Sequence, residues 1–201
     1  MTGLRLMLFD RTSRGHAMCH LWRMGGALYR QLDRLDGYFG ASSWSEGLDW
    51  LARFRLHQPL QEIQFWGHGR WGRALVDQEA LDQSCLEESH PLHPTLVAVQ
   101  RRLVPEGLWW FRTCETLGAT AGQRLACALS DFLGCRVAGH THIIGFYQSG
   151  LHSLAPGEQP DWDAREGLRR GSPDAPEQAY TSRPWVPNTI TCLHGRVPRG
   201  F

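Results

Sequence analysis

A histidine and a cysteine each follow a short apolar run of this chain, and together they have the chemistry of a nucleophilic pair. The run at residues 60–66 is followed by Gly67-His68-Gly69, and the run at residues 108–113 is followed by Cys114. A thiol becomes a nucleophile when a nearby base removes its proton, and imidazole is such a base. If the two runs are neighbouring parallel strands, both groups reach the same sheet edge, because adjacent strands lie about 4.8 Å apart.

The elements that would position these groups follow one another in the order of an α/β protein. Over the first 145 residues, apolar runs of strand length, beginning with residues 4–9, alternate with segments of helix length. Strands separated by helices favour parallel pairing, with helices on both faces of the sheet. We therefore predict a three-layer sandwich with a mostly parallel sheet of about six strands. Functional sites in such sheets form at the carboxyl ends of the strands, where His68 and Cys114 lie.

Local patterns predict where helices begin and which side of the first helix is buried. Ser43 and Glu46 form a capping-box pattern, Thr120 and Gln123 form a second candidate, and Gly134 fits the end of that later helix. Apolar residues at three- and four-residue spacing predict one inward face for the first helix, namely Met18, Leu21, Trp22, Gly25, Leu28, Tyr29, Leu32 and Leu35.

Length and composition indicate one domain with an appended segment. The chain has 201 residues, 42% of them hydrophobic, which suits one sizeable core. We assign residues 1–148 to the α/β core. Residues 149–201 are rich in Gly, Pro and Asp, and we expect a loop-rich C-terminal segment packed on that core. Trp162 and Trp185 favour such packing, because large aromatic side chains are seldom fully exposed.

Charge and hydropathy exclude several classes of partner. The net charge is +1, the chain has no lysine, and its arginines are scattered among acids, so no basic stripe indicates nucleic-acid binding. No apolar stretch is long enough to span a membrane, and no signal-peptide pattern is present. The six cysteines match no Cys-x-x-Cys motif and are interpreted as free thiols. We expect a cytoplasmic protein without a cofactor.

The histidine and the cysteine together define a candidate dyad. The Cys114 thiolate would attack a carbonyl carbon, and His68 would accept the thiol proton and later protonate the leaving group. The resulting oxyanion needs fixed N–H donors. Gly69 and Cys114 can each supply a backbone N–H, and glycine allows the substrate to approach its backbone closely. The alternative is that His68 merely ends a strand and Cys114 is one more buried thiol.

Four neighbouring residues are candidates for the surrounding cleft. Trp66 and Trp71 flank His68 and would either wall a substrate groove or pack beneath the hairpin after it. Asp10 ends the first strand and would face the same edge. Glu115 beside the nucleophile would either raise the pKa of the thiol or cap the following helix, and we favour the cap.

A second constellation of histidines lies further along the chain. His140 and His142 alternate along a predicted strand, which places both rings on one face. A metal site that also uses His152 is conceivable, but no acidic or cysteine ligand stands at a recognisable spacing, so we predict no metal. We expect one of the two to line the Cys114 cleft.

The order of these elements resembles the caspase–gingipain group of cysteine peptidases, which includes separases and CHAT-domain proteases. The resemblance covers roughly residues 3–145. Within this group, the chain most resembles the compact bacterial caspase-like domains. The shared features are His68-Gly69 with Gly72, the strand that ends in Cys114 and the helix that starts at Gly122. The resemblance implies a parallel sheet of about six strands, a His68/Cys114 dyad, and an oxyanion hole lined by Gly69 and Cys114.

The chain also departs from caspases proper. Those carry Gln-Ala-Cys-x-Gly, whereas this chain has Arg-Thr-Cys114-Glu115 there, and no processing pattern separates large and small subunits. We predict a caspase-like cysteine endopeptidase acting on peptide or protein substrates, with neither nucleic acid nor membrane as a partner. A catalytically inactive binding or scaffold module, or a metal-dependent hydrolase, stays open. The sequence indicates neither the oligomeric state nor a preference for Asp, Arg or Lys in substrates.

Overall fold

The structure, a computed structural model, describes residues 3–13 and 17–198. In chain order its strands and helices are β1 (Leu4–Asp10), α1 (Ala17–Gln31), β2 (Gly37–Ala41), α2 (Trp44–Arg53), β3 (Leu60–Trp66), β4 (His68–Arg70), β5 (Arg73–Val76), β6 (Glu79–Leu81), α3 (His93–Gln100), β7 (Leu103–Arg112), α4 (Ala119–Leu133), β8 (Arg136–His140), β9 (Tyr147–Gln148), β10 (Leu151–Leu154), β11 (Leu168–Ser172), β12 (Ala175–Ala179) and β13 (Ile190–Thr191). None of the described helices has the length and apolarity needed to cross a membrane.

Six strands form the central sheet, in the order β2-β1-β3-β7-β8-β10. The first five are mutually parallel, and β10 runs antiparallel to β8. Helices connect the parallel strands, as the crossover between parallel neighbours requires. Between β3 and β7 the chain first forms the small antiparallel sheet β4-β5-β6 and then α3. The prediction of an α/β fold with a mostly parallel sheet of about six strands is confirmed.

The larger core lies between one face of the sheet and the helices α2, α3 and α4. Successive strand residues point to opposite faces, so alternate residues of each strand enter this core. Leu8, Phe65 and Phe111 are examples, and none of them is more than 1% exposed. Removing this much apolar surface from water is the main stabilising contribution to the fold.

The start of α2 follows from its first residues. The Ser43 side chain accepts a hydrogen bond from the Glu46 N–H at 3.1 Å, as the capping-box pattern predicts. The Glu46 carboxylate reaches one residue further back than expected and accepts from the Ser42 N–H at 2.7 Å. The two bonds provide acceptors for backbone N–H groups that have no partner within the helix.

The start of α4 differs from the prediction, whereas its end agrees with it. The N-cap residue is Gly118, which provides no side-chain cap, so the capping box at Thr120 and Gln123 was wrong. The chain enters the helix earlier, at Ala119, whose φ is 60°. At the other end, Gly134 has a φ of 64°, a left-handed conformation that glycine adopts without a steric penalty.

The chain beyond residue 148 supplies the last strand of the sheet as well as loops. β10 pairs with β8, β11 forms a hairpin with β12, and β13 pairs with β9. Trp162 is buried against Leu117 and Leu154, which confirms its predicted packing. The expected packing of Trp185 was wrong, because that side chain is 73% exposed. The segment is therefore anchored on the core through Trp162.

The opposite face of the sheet is covered by α1, which is only partly buried. Trp22 and Tyr29 pack on Met7, Phe9 and Trp66 of the strands. The predicted inward face is wider than the strip of sheet that one helix covers, so part of it is exposed to solvent, namely Met18, Leu21, Leu28 and Leu32.

Arg112 links this face to the C-terminal segment. Its guanidinium donates to the Tyr29 hydroxyl at 3.0 Å, and to the carbonyl oxygens of Cys192 and His194 at 3.0 and 2.9 Å. It also lies 4.5 Å from the centre of the Trp66 ring. A buried charge is tolerated when acceptors and aromatic faces surround it in this way. Arg112 therefore fixes residues 190–198 to the sheet.

Replacing Arg112 by Met is expected to lower the free energy of unfolding by roughly 2–4 kcal/mol, because hydrogen bonds to charged groups contribute about 1.5–3 kcal/mol each. The exposed control Arg124→Met on α4 should change it by less than about 0.5 kcal/mol. Urea unfolding measures both values, and limited proteolysis reports whether residues 190–198 detach. Equal stability of the two variants would contradict the role assigned to Arg112.

Candidate active site

His68 and Cys114 lie at equivalent positions on neighbouring strands. β3 and β7 pair in parallel, with Trp66 opposite Arg112 at their carboxyl ends. His68 and Cys114 each come two residues after that pair. The expected adjacency of the two strands is therefore confirmed, and the two residues leave the sheet at the same edge.

Gly69 brings the two chain segments into direct contact. A Cβ atom built at Gly69 would lie 2.2 Å from Thr116 Oγ1 and 2.6 Å from the carbonyl oxygen of Cys114. No side chain fits at such distances, so the close approach of these backbones requires glycine. The residue after the histidine thus packs against the loop that begins with the cysteine.

The His68 ring is held by two groups that sequence reasoning missed. Its Nε2 lies 2.9 Å from Ser13 Oγ, and its ring forms a T-shaped contact with the Trp22 ring at a centroid distance of 5.5 Å. Ser13 follows the end of β1 by three residues and so belongs to the same sheet edge. The place of Ser13 just after a strand end was the sequence feature from which its contact with His68 could have been predicted. The His68 side chain itself is exposed to solvent.

The Cys114 side chain is half-buried and carries a neutral thiol at rest. Its Sγ lies 3.9 Å from the Ile144 carbonyl oxygen, whereas the hydrogen-bond partner of His68 is Ser13. Burial raises the pKa of the Cys114 thiol, and the neighbouring carboxyl of Glu115 raises it further. The thiol therefore needs a base at the moment of attack.

Glu115 does not cap the following helix, so that expectation was wrong. Its backbone is in the left-handed region, with a φ of 37°, and its buried Oε2 has no hydrogen-bond partner among the described residues. Burial raises the pKa of this carboxyl, and the Arg70 guanidinium partly opposes the effect. Glu115 is thus a buried acid beside the thiol, and its carboxyl gives up its proton less readily than a solvent-exposed one.

Three other cleft candidates are buried and hold local structure. Asp10 Oδ1 accepts from the N–H and the hydroxyl of Thr12 at 2.8 and 2.6 Å, which forms a turn after β1. Trp66 donates from Nε1 to Gln64 at 2.9 Å. Trp71 packs in a cluster with Ala119, Ala179 and neighbouring apolar groups. Each of them is at most 9% exposed, so they pack beneath the edge of the sheet and do not form the wall of an open groove.

His140 is completely buried at the end of β8. A carbonyl oxygen can only accept, so the 3.2 Å contact with Ser149 places the proton on Nδ1. The other ring nitrogen, Nε2, has no partner among the described residues. Burial, helped by the positive charge of Arg112, lowers the pKa of His140 to about 3. The ring is therefore neutral across the physiological range.

His142 belongs to a separate polar cluster. Thr141 Oγ1 lies 2.9 Å from both His142 Nδ1 and Glu166 Oε1, and His152 Nε2 lies 2.8 Å from that same carboxylate oxygen. Gly150 makes room for the cluster, since a Cβ there would lie 1.9 Å from Thr141 Oγ1. Over residues 3–13 and 17–198, no group of three or more His, Cys, Asp or Glu is placed to hold a metal ion.

Comparison with known proteins gives no assignment. No family model matches the chain, and neither the curated proteins nor the solved structures returned a match.

The buried His140 predicts an acid-sensitive fold. Its pKa is depressed in the folded state, so the unfolded chain takes up the proton first, and stability is lost as the pH falls below about 6.5. One such group contributes a slope of about 1.4 kcal/mol per pH unit between that value and its folded pKa. Chemical unfolding between pH 7 and 4 should show a shallower loss in His140→Gln than in the exposed control His57→Gln. If stability depended on pH with the same slope in both variants, His140 would not be the buried neutral group described here.

The contact at Gly69 predicts a sharp steric effect. Gly69→Ala is expected to destabilise the protein by about 1–3 kcal/mol, because the added methyl group overlaps Thr116 and the Cys114 carbonyl. Gly145→Ala is the matched control, since a Cβ there meets nothing within 4 Å. Thermal unfolding of the two variants provides the comparison. A Gly69 variant as stable as the control would show that the segments are further apart than described.

Proposed function

We propose that the protein is a caspase-like cysteine endopeptidase acting on peptide or protein substrates, with Cys114 as nucleophile and His68 as base and acid. The observation that carries the proposal is the register of β3 and β7, which delivers an imidazole and a thiol from matching positions of adjacent strands. Such a pair at the carboxyl edge of a parallel sheet has the parts that acyl transfer needs.

The raised pKa of Cys114 favours attack assisted by a base over a resting ion pair. As the sulfur bonds to the scissile carbonyl carbon, the thiol proton passes to His68. Collapse of the tetrahedral intermediate breaks the carbon–nitrogen bond, and the amine leaves with that proton. Water then attacks the thioester, which releases the acid and restores the thiol.

The oxyanion of this intermediate requires fixed donors. We assign the role to the backbone N–H groups of Gly69 and Cys114. In the described part of the chain, the Cys114 N–H does not donate to a backbone carbonyl, whereas the next N–H, that of Glu115, donates to His142. An N–H at the nucleophile that is not used by the backbone ladder is the feature that such a site needs.

Ser13 and Trp22 are positioning residues in this proposal. The Ser13 hydroxyl and the T-shaped contact with the Trp22 ring restrict the orientation of the His68 imidazole. A base that is held in place before the substrate arrives loses less entropy in the transition state. Productive geometry requires the ring to approach the thiol, and apo dyads commonly tighten when substrate binds.

We also propose a cytoplasmic location. All six cysteines are free thiols, and thiols persist in a reducing compartment.

A second candidate function is a non-catalytic binding module with the same fold. The burial of the Cys114 thiol and the adjacent Glu115 carboxyl favour it, since both raise the pKa of the thiol and so oppose thiolate formation. Cleavage assays separate the two candidates directly.

The wild-type protein is expected to cleave members of a proteome-derived peptide library, with new termini read by mass spectrometry. Cys114→Ala and His68→Ala should each lower cleavage rates by at least about 100-fold, because the first removes the nucleophile and the second the base. The matched control Cys127→Ala, at another half-buried thiol, should retain full activity.

Two outcomes would count against the peptidase. Cleavage that persists in Cys114→Ala would assign the activity to other residues. A folded wild type that cleaves no peptide would favour the binding module.

A further inference from the structure

A cavity of about 410 Å³ lies between the turn of the β4-β5 hairpin and the start of α4. Three arginines line it, namely Arg70 at the end of β4, Arg73 at the start of β5 and Arg124 on α4. We call these three residues the arginine cluster, and all three side chains are exposed. Among the described residues that line the cavity, Asp82 is the one acid. The cavity therefore presents a concentrated positive charge to solvent.

The hairpin holds two of these arginines directly opposite each other. Arg70 and Arg73 are partners in the antiparallel pairing of β4 and β5. Side chains at directly opposite positions leave the same face of the strand pair, and like charges there destabilise it. The fold thus bears a repulsion that a bound anion would relieve.

Gly72 in the turn brings the third arginine to the other two. Its φ is 74°, and a Cβ atom there would lie 2.7 Å from the carbonyl oxygen of Ala121. The Gly72 N–H also donates to the Thr116 carbonyl oxygen at 2.9 Å. The turn is therefore packed on the first turn of α4. Arg124 lies three residues after Ala121 and so shares its side of the helix, towards the hairpin.

The protein neutralises little of this charge. Arg70 and Arg124 form no ion pair and no side-chain hydrogen bond with any part of the chain that the structure describes. The Arg70 guanidinium lies over the Trp71 ring, 5.1 Å from its centre, a contact that leaves its N–H groups available in the guanidinium plane. Arg73 lies 3.7 Å from Asp82, and an ion pair as exposed as this one contributes little.

The start of α4 adds partial charge of the same sign. Its N-cap residue, Gly118, provides no side-chain cap, and its first turn contains no acid. The N–H of Ala121, which lines the cavity, donates to no described backbone carbonyl. Such a helix end carries unpaired N–H groups and the positive end of the helix dipole. Glu115, which attracts Arg70, is buried and gives up its proton less readily than an exposed acid, so it is a weak counter-charge.

From these observations we propose that the arginine cluster and the start of α4 bind a phosphate monoester. Guanidiniums from three elements can surround a group with three terminal oxygens, whereas a carboxylate has two oxygens and pairs with a single arginine. A monoester carries a charge of about −1.5 to −2 at pH 7. Three arginines and one aspartate leave +2 around the cavity, which matches that charge. The inference does not depend on peptidase activity.

A phosphate monoester can be part of a small metabolite or of a phosphorylated side chain. The cavity lies beside the candidate active site, because His68 and Arg70 leave the same face of β4, about 7 Å apart along the strand. Two residues of an extended peptide span that distance, so we test both sources. A nucleic acid fits less well, since its backbone needs a longer row of cations and the other arginines of the chain are scattered.

The test is an NMR titration of the ¹⁵N-labelled protein, read at the Arg73 Nε–H and the Ala121 amide. The probe is a five-residue peptide with phosphoserine at its centre and alanine elsewhere. It should bind saturably with a Kd of about 1 mM or lower, and at least about tenfold more tightly than the same peptide with Ser or Glu at the centre. Equal affinity for glycerol 3-phosphate would show that the phosphate alone is recognised. Tighter binding of the peptide would indicate a phosphorylated protein as the source, and both results support the proposal.

The double variant Arg70→Gln/Arg124→Gln should lose at least about tenfold in affinity for the phosphoserine peptide. Both side chains are exposed, so we expect the variant to fold, and circular dichroism checks this. The matched control Arg23→Gln/Arg53→Gln removes the same charge from exposed positions on α1 and α2 and should bind normally.

Several results would overturn the proposal. These are no saturable shift up to about 10 mM phosphoserine peptide, equal affinity for the Glu peptide, unchanged binding by the folded double variant, or an equal loss in the control variant. A six-residue oligouridylate that binds at least about tenfold more tightly than either monoester, and that the double variant no longer binds, would assign the arginine cluster to a nucleic-acid backbone instead.

Discussion

Between Ile63 and Trp66, β3 runs beside residues 109–112 of β7 in an unbroken parallel register. A slip by one residue would turn every side chain of one strand to the opposite face. If β7 slipped, Phe111 would leave the larger core and Arg112 would leave its acceptors. The arrangement of His68 and Cys114 is therefore set by the packing of two strands, since each residue lies only two positions beyond the last pair of the register.

The character of the site follows from the face of the sheet beneath it. Glu62, Gln64 and Trp66 alternate along β3 and are joined by hydrogen bonds, from Gln64 to Glu62 at 2.6 Å and from Trp66 to Gln64 at 2.9 Å. This face is polar yet buried, so burial disfavours the charged forms of ionisable groups near it. The raised pKa of Cys114 and the lowered pKa of His140 are two results of the same burial.

The features predictable from the sequence are those carried by short-range patterns. Apolar runs located the strands, so the positions of His68 and Cys114 at strand ends could be derived. The contacts of Ser13 with His68 and of Ile144 with Cys114 join loops distant in sequence, and no local pattern encodes them. The exposed side of α1 was unpredictable for another reason. Periodicity shows which residues share a face, but it does not show how much of that face the rest of the protein covers.

Arg112 binds the C-terminal segment through main-chain atoms, so the contact does not depend on which side chains that segment carries. Its guanidinium and the Tyr29 hydroxyl hold main-chain oxygens of Cys192 and His194, atoms that every amino acid possesses. Substitutions at these two positions would leave the acceptors in place. Deleting one residue, in contrast, would shift the oxygens along the chain by about 3.3 Å and break the match. The contacts of Arg112 therefore constrain the number of residues in this segment. They place little constraint on which amino acids occupy positions 192 and 194.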